Sequence, residues 1–401
     1  MLQRIFAASA LAACTVLLAP NSWSQEKIKF GFAISKTGQN TPGANGTVTP
    51  NYRLWISELQ AAGGITIKKT GKKVPVEFVE YDDQSKSEEV VRLTERLINE
   101  DKVDFLLSPW GTAFNSAVAP LYARAGFPHL AVTFTVEDPG RFIKRFPNLF
   151  VFTGSTSEYA EAIVEVLTSM RSRGAIGSNI AIAGVSDQFG LELSSAGRKA
   201  LQKGNFKIVM DKMYPFGSQD LASIITEASR ANPDAFLAFS YPPDTMGLTE
   251  QARALKFNPK VFYAAVATAF PAYRARFGSN VEGIFGPGGW NASSPESKSF
   301  LERFKKVNNG AEPDRWASPI VYASLQILQQ AIERVGVDRK AVIREIETGT
   351  FDTILGSRKL EGRMLRSLYL VAQWQDGEFN AVWPQGLPGT TSFRTNKPAW
   401  Q

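Results

Sequence analysis

Thr112, Thr133 and Thr135 are the residues whose type and spacing bear most directly on chemistry. They fall within VDFLLSPWGTAFNSAVAPLYARAGFPHLAVTFT, from Val103 to Thr135, which reads strand, loop, helix, turn, strand. In a right-handed βαβ unit the loops at both strand carboxyl ends open on one edge of the sheet. Open α/β sheets bind their ligands at that edge. Hydroxyls there, beside the unpaired N–H groups of a helix start, suit a small anion such as a carboxylate. The same threonines also suit a plainer role, capping the helix and ending the strand, and these residues alone leave both readings open.

The elements around the threonines follow from apolar spacing. Val103–Leu107 is a short apolar run, as expected of a strand buried on both faces. Ser108-Pro109-Trp110-Gly111-Thr112 is a loop. Ala113 to Arg124 carries Phe114, Ala117, Val118, Leu121 and Tyr122 at helical spacing, and Gly126 closes it. Phe127–Val132 is the next strand. Further strands are expected at Lys27–Ile34, Val74–Tyr81, Ile180–Val185, Phe206–Tyr214, Ala235–Phe239 and Val261–Ala265, with amphipathic helices between them. Asp138 to Asn148 reads as a polar connection, and Gln385 to Gln401 as an extended Gly/Pro/Thr-rich tail. The alternation, repeated in two halves, predicts an α/β fold of two doubly wound parallel-sheet lobes.

Composition narrows the function. The 401 residues are 44% hydrophobic and 21% charged, with a formal charge of +7. The basic residues are scattered, without a dense run interleaved with aromatics, so nucleic acid is not implied. Arg4, the apolar run Ile5 to Ala19 and Ser22-Trp23-Ser24 form an export signal over residues 1–24, which places the mature chain in the periplasm. Leu11-Ala12-Ala13-Cys14 also resembles a lipoprotein box, but the apolar run continues past Cys14, which fits a plain signal better. Cys14 is the only cysteine and His129, inside an expected buried strand, the only histidine. Zinc sites and His-based triads therefore lack their parts. No P-loop, nucleophile elbow or dinucleotide fingerprint is present, and no cofactor or metal is implied.

Several segments, in order, resemble the leucine/isoleucine/valine-binding proteins, the type I periplasmic solute receptors of ABC importers. They are Gly63-Gly64-Ile65, Tyr81-Asp82-Asp83 before a helix, Leu106–Thr112, Tyr122 to Gly126, and the closing Gln373-Trp374-x-Asp-Gly hairpin. The resemblance covers about residues 27 to 384. It implies two lobes, 27–152 plus 287–365 and 154–285 plus 368–384, crossing near Phe152–Gly154, Phe285–Gly288 and Arg363–Leu368 and closing on a ligand by hinge motion. It implies a monomer that delivers a small solute to a membrane permease and ATPase complex. The same fold serves ligand sensors of signalling systems, which stands as the alternative; an enzyme is less favoured.

The resemblance puts the ligand carboxylate at Thr112, Thr133 and Thr135, with Trp110 and Gly111 as the adjoining wall and Ser240 and Tyr241 facing from the other lobe. The acid that meets an amino acid's ammonium in the family falls here on Ala265, and the first loop, Thr37–Gly43, has no tyrosine. An unpaired buried ammonium costs several kcal/mol. The expected ligand thus carries a carboxylate or amide and lacks a free amine, with branched or aromatic acids fitting Trp110 and Tyr241. Asp187 is the one candidate replacement for the missing acid, although a helix-capping role suits it as well.

Overall fold

The central strands of this chain are buried on both faces, as parallel sheets sandwiched by helices require, while the edge strands Val76–Asp82 and Lys207–Tyr214 are partly exposed. Ile28–Ile34 keeps only Lys29 partly exposed. The computed structural model describes residues 27–366 and 369–401. The export signal, with Cys14, lies outside them, as do Ser367 and Leu368 of the third expected crossing.

In the first lobe Ile28–Ile34 is the centre strand, parallel to Val76–Asp82 on one side and Phe105–Leu106 on the other. A second parallel pair joins His129–Ala131 to Leu149–Val151. The second lobe holds a seven-stranded sheet in the order Glu378–Trp383, Val371–Gln375, Phe285–Pro287, Val261–Ala264, Ala235–Phe239, Asn179–Val185, Lys207–Tyr214. Its members run parallel except for the closing hairpin, which meets Phe285–Pro287 antiparallel.

The chain passes between the sheets three times. After Leu149–Val151 it enters the helix Thr156–Ser172, which packs on Gln188–Lys203 in the second lobe. After Phe285–Pro287 it returns to the helix Pro295–Val307, which packs on Thr49–Ala61 in the first. Met364, bridged to Val151, precedes the last passage to Val371–Gln375. The fold is therefore two α/β lobes joined by three crossings.

Four segments differ from expectation, the first being Thr41–Thr47, which is helical where the loop was expected to run through Gly43. Asp138 to Asn148 contains a helix, Pro139–Arg145: Asp138 accepts the Arg141 N–H at 3.1 Å, Pro139 opens the first turn, and Phe142 packs on Phe134. A helix at Pro271–Phe277 and a hairpin of Phe351–Thr353 with Gly356–Arg358 also appear where no element was assigned. The tail has neither helix nor strand, yet it is docked. Gln373 and Gln375 donate their side-chain amides to the carbonyls of Arg394 and Ser392, each at 2.9 Å. Trp400 meets Phe262 edge-on.

Candidate functional site

The loop Ser108–Thr112 is held by one side chain beneath it. Asn115, on the first turn of the helix Thr112–Ala125, donates to the carbonyls of Pro109 at 3.0 Å and Gly111 at 2.9 Å. Its oxygen accepts from the Ser108 hydroxyl at 2.5 Å and faces His129 Nε2 at 3.0 Å. Burial pushes His129 down to about 3, so the imidazole is neutral, and the Asn115 oxygen assigns the hydrogen to Nε2. Tyr52 and Tyr122 donate to the carbonyls of Ser108 and Leu107. His129 is thus a structural residue below the site.

The three threonines converge. Gly111, at φ 97° where a side chain would be strained, donates its N–H to Thr133 Oγ1 at 2.8 Å. Thr112 Oγ1 accepts the Thr135 N–H at 3.2 Å and donates to the Thr135 carbonyl at 3.3 Å. Thr135 donates to Thr153 Oγ1 at 3.2 Å. All three are buried. The Thr112 hydroxyl therefore ties the two loops together, while the Thr135 hydrogen is spent on Thr153. Thr133 accepts one bond, and among the described residues no acceptor takes its hydrogen.

Trp110 reaches across the gap. Its ring lies against Gly43, where a β-carbon would sit 2.0 Å from it. Its other contact is Tyr241 of the second lobe, 5.4 Å between ring centres. The indole N–H is buried and has no partner among the described residues.

Tyr241 precedes the helix Pro242–Ala254 and is the hub of the opposite wall. Phe189 stacks on it at 5.1 Å and Phe216 meets it edge-on at 4.9 Å. Its hydroxyl donates to Asp187 at 2.7 Å. Asp187 also caps the helix Gln188–Lys203 through the Gly190 N–H at 2.9 Å, so the capping reading holds and Asp187 faces Tyr241 besides. Burial raises its carboxyl above the ordinary range.

Ser240 and Ala265 lie differently. Thr245 Oγ1 donates to the Ala265 carbonyl at 2.7 Å, so Ser240, 2.7 Å from that oxygen, donates to it. The Ser240 hydroxyl is spent inside its own lobe. Ala265 and Val266, with Phe189, face Thr135 across an enclosed cavity with room for about one water. Phe189, Asp244 and Asn115 were not singled out from the sequence. Phe189 and Asp244 stand in the first turns of helices that follow strand carboxyl ends, a signal of place; Asn115, one polar residue on a helix, gave none.

The chain matches the model of a family described as periplasmic binding protein over residues 27–378. It is 23% identical over 356 residues to an amino acid binding protein of Pseudomonas aeruginosa, covering 86% of this chain and 90% of that one. Among solved structures it resembles the leucine binding protein LivK of Thermotoga maritima, with TM-score 0.74 and 20% identity over 88% of this chain and 97% of that one. A solute binding protein from R. palustris in complex with benzoate superposes with TM-score 0.73 and 18% identity, over 93% and 99%. Family and fold are those of substrate-binding proteins, not enzymes. With the family's pattern running through both lobes, this chain belongs to the periplasmic binding proteins.

Proposed function

We propose that this chain is the receptor of a branched-chain amino acid-type ABC importer. It captures a small carboxylate- or amide-bearing solute between two closing lobes. Residues 1–24 act as its export signal, and the mature monomer hands its cargo to an inner-membrane permease and ATPase complex. The lobes comprise 27–152 plus 287–365 and 154–285 plus 368–384, with 385–401 as tail.

One observation carries this reading: the threonine loops of one lobe stand opposite the aromatic wall of the other, with Trp110 against Tyr241. The free Thr133 hydrogen and the first amides of the Thr112–Ala125 helix are the donors a carboxylate would meet. Trp110, Phe189 and Tyr241 would clasp an apolar body. A solute of several carbons fits only after the lobes part, as hinge closure allows. The leucine- and benzoate-binding neighbours point to aliphatic amino acids and aromatic acids as the ligands to try first.

A thermal-shift screen of the mature chain against amino acids, amides and aromatic acids tests this. A ligand at a hundredfold its dissociation constant stabilises by about 2.7 kcal/mol. Carboxylates should dominate the positive shifts. If their methyl esters, which keep the carbon skeleton and lose the charge, shift the protein equally, the threonine loops are not an anion site.

A further inference from the structure

Behind Tyr241 lies a group of oxygens for which the proposed capture site has no use so far. Asp244, in the first turn of the Pro242–Ala254 helix, is 1% exposed, and its Oδ2 has no partner among the described residues. The hydroxyl of Tyr214, 3% exposed, has none either. Asp187, Asp244, Tyr214 and Tyr241 are close enough for the carboxylates to act electrostatically on both phenols and on each other. Among the described residues neither carboxylate has an ion-pair partner. Only two backbone N–H groups, of Tyr241 and Gly217, reach Asp244. Asp187, half-buried, is met by the Tyr241 hydroxyl and the Gly190 N–H, whereas the buried Asp244 Oδ2 and Tyr214 hydroxyl stand open. Buried polar atoms are normally satisfied, and a buried carboxylate oxygen and hydroxyl left open together mark a place where an outside donor could bond.

The surroundings select the donor. Phe189 and Phe216 pack on the ring of Tyr241, whose hydroxyl meets Asp187, so the acids sit in an aromatic wall. Aromatic faces with carboxylates favour an organic ammonium over a hydrated metal ion. The cluster also belongs to the gap between lobes. Gly217, beside Phe216, lies so close to Gln39 of the first lobe that a β-carbon there would stand 2.5 Å from its amide nitrogen. Tyr241 touches Trp110.

The position selects the ligand. Ala265 follows the strand Val261–Ala264 and shares a cavity with Thr135 of the proposed carboxylate loops. Asp244 follows the neighbouring strand Ala235–Phe239, and Asp187 follows Asn179–Val185, one strand further. At about 4.8 Å per strand, the acids stand roughly 5–10 Å along the sheet edge from the end of the Val261–Ala264 strand. An α-amino acid carries both charges on one carbon and cannot span that offset.

Resting on the capture reading above, we propose that Asp187 and Asp244, with Tyr214 and Tyr241, seat the ammonium end of the solute, and that the solute is an amino acid whose amine is separated from its carboxylate by several carbons. The carboxylate lies on the threonine loops and the amine reaches past Tyr241.

Calorimetric titration of the mature chain with δ-aminovalerate, norvaline and valerate tests this, since the three differ only in where, or whether, an amine is attached. p-Aminomethylbenzoate and p-toluate form the matching aromatic pair. The δ-amine or the aminomethyl compound should bind at least about tenfold tighter than its amine-free partner, the low end for a buried charge pair. Asp244→Asn should erase that advantage while leaving the amine-free acid's affinity in place. Asp187→Asn, which keeps a capping side chain, and Tyr214→Phe should reduce it, so the test survives a poorly folding variant. Equal affinity with and without the amine overturns the seat, leaving only buried water there, while the importer reading stands. Tightest binding of norvaline also overturns it. Failure of every carboxylate to bind removes the capture reading and this inference together.

Discussion

Ser108–Thr112 and Ser240–Asp244 both lead from a strand end into a helix, yet they leave their polar groups in opposite conditions. In the first, Asn115, Ser108 and the threonines bond to one another and to the loop backbone. In the second, Asp244 Oδ2 and nearby Tyr214 keep unpartnered oxygens among stacked rings. The first network, apart from the Trp110 indole N–H and the Thr133 hydrogen, is bonded before any ligand arrives, while the second has more of its hydrogen bonds still to make. Under the proposed capture, the contrast would give positioning to the first lobe and choice of ligand to the second.

The largest expected effect is at the point where the two regions touch. Trp110→Ala removes the ring packed on Gly43 and Tyr241. It should cost about 3–5 kcal/mol, the usual range for deleting a buried aromatic. Urea unfolding measures it. A loss below about 1 kcal/mol would mean the ring is a loose lid, not part of the core of the first lobe.

Next is the network itself. Asn115→Leu strips partners from Ser108, His129 and the carbonyls of Pro109 and Gly111. Several buried groups left unsatisfied should cost roughly 3 kcal/mol, less if water enters. The same change should weaken binding of acids with and without an amine alike. A variant that changed only amine selectivity would blur the division between the lobes.

The open region should instead announce itself in pH. Burial, helped by neighbouring Asp187, raises the Asp244 carboxyl from 3.8 to about 7, against the two backbone N–H groups. The folded state then holds this proton more tightly than the unfolded state between those values. Its contribution to stability is complete below about pH 4 and is lost as pH rises toward 7. The loss should be on the order of 4 kcal/mol. Asp83 and Asp314, each raised to about 6, add to the same trend, so the informative quantity is the difference between the parent and Asp244→Asn. Melting curves from pH 4 to 8 should show a shallower decline in the variant. Parallel curves would mean Asp244 is already paired when folded.

The threonines could be found from sequence because apolar runs fix where strands end, and hydroxyls stood at those ends. Trp110 and Tyr241 were found the same way. The bond from Tyr241 to Asp187 was not, since it joins loops 54 residues apart and depends on sheet order. Ser240 shows the limit of placement: it sits at the strand end, but only coordinates reveal that its hydroxyl turns to Thr245. The helix Pro139–Arg145 carries an Asp-Pro start, a sufficient cue, yet seven residues are too few to set an apolar period. The tail's docking rests on amides from Gln373 and Gln375, which no pattern within the tail discloses.

The smallest effect separates two threonines that look alike in sequence. Thr112 commits its hydrogen to the Thr135 carbonyl, whereas Thr133 only accepts from Gly111. A carboxylate can take the Thr133 hydrogen without breaking a bond, but must displace the Thr135 carbonyl to take that of Thr112. Thr133→Val should therefore lower affinity for a carboxylate by about 1 kcal/mol, the net worth of one hydrogen bond, with a similar loss of stability from the stranded Gly111 N–H. Thr112→Val should lower stability by a comparable amount and affinity by less. Calorimetry on the two variants with one amine-free acid decides the order. The reverse order would show that the loop-to-loop bonds exchange when the lobes close, and that the first lobe is less preorganised than its network implies.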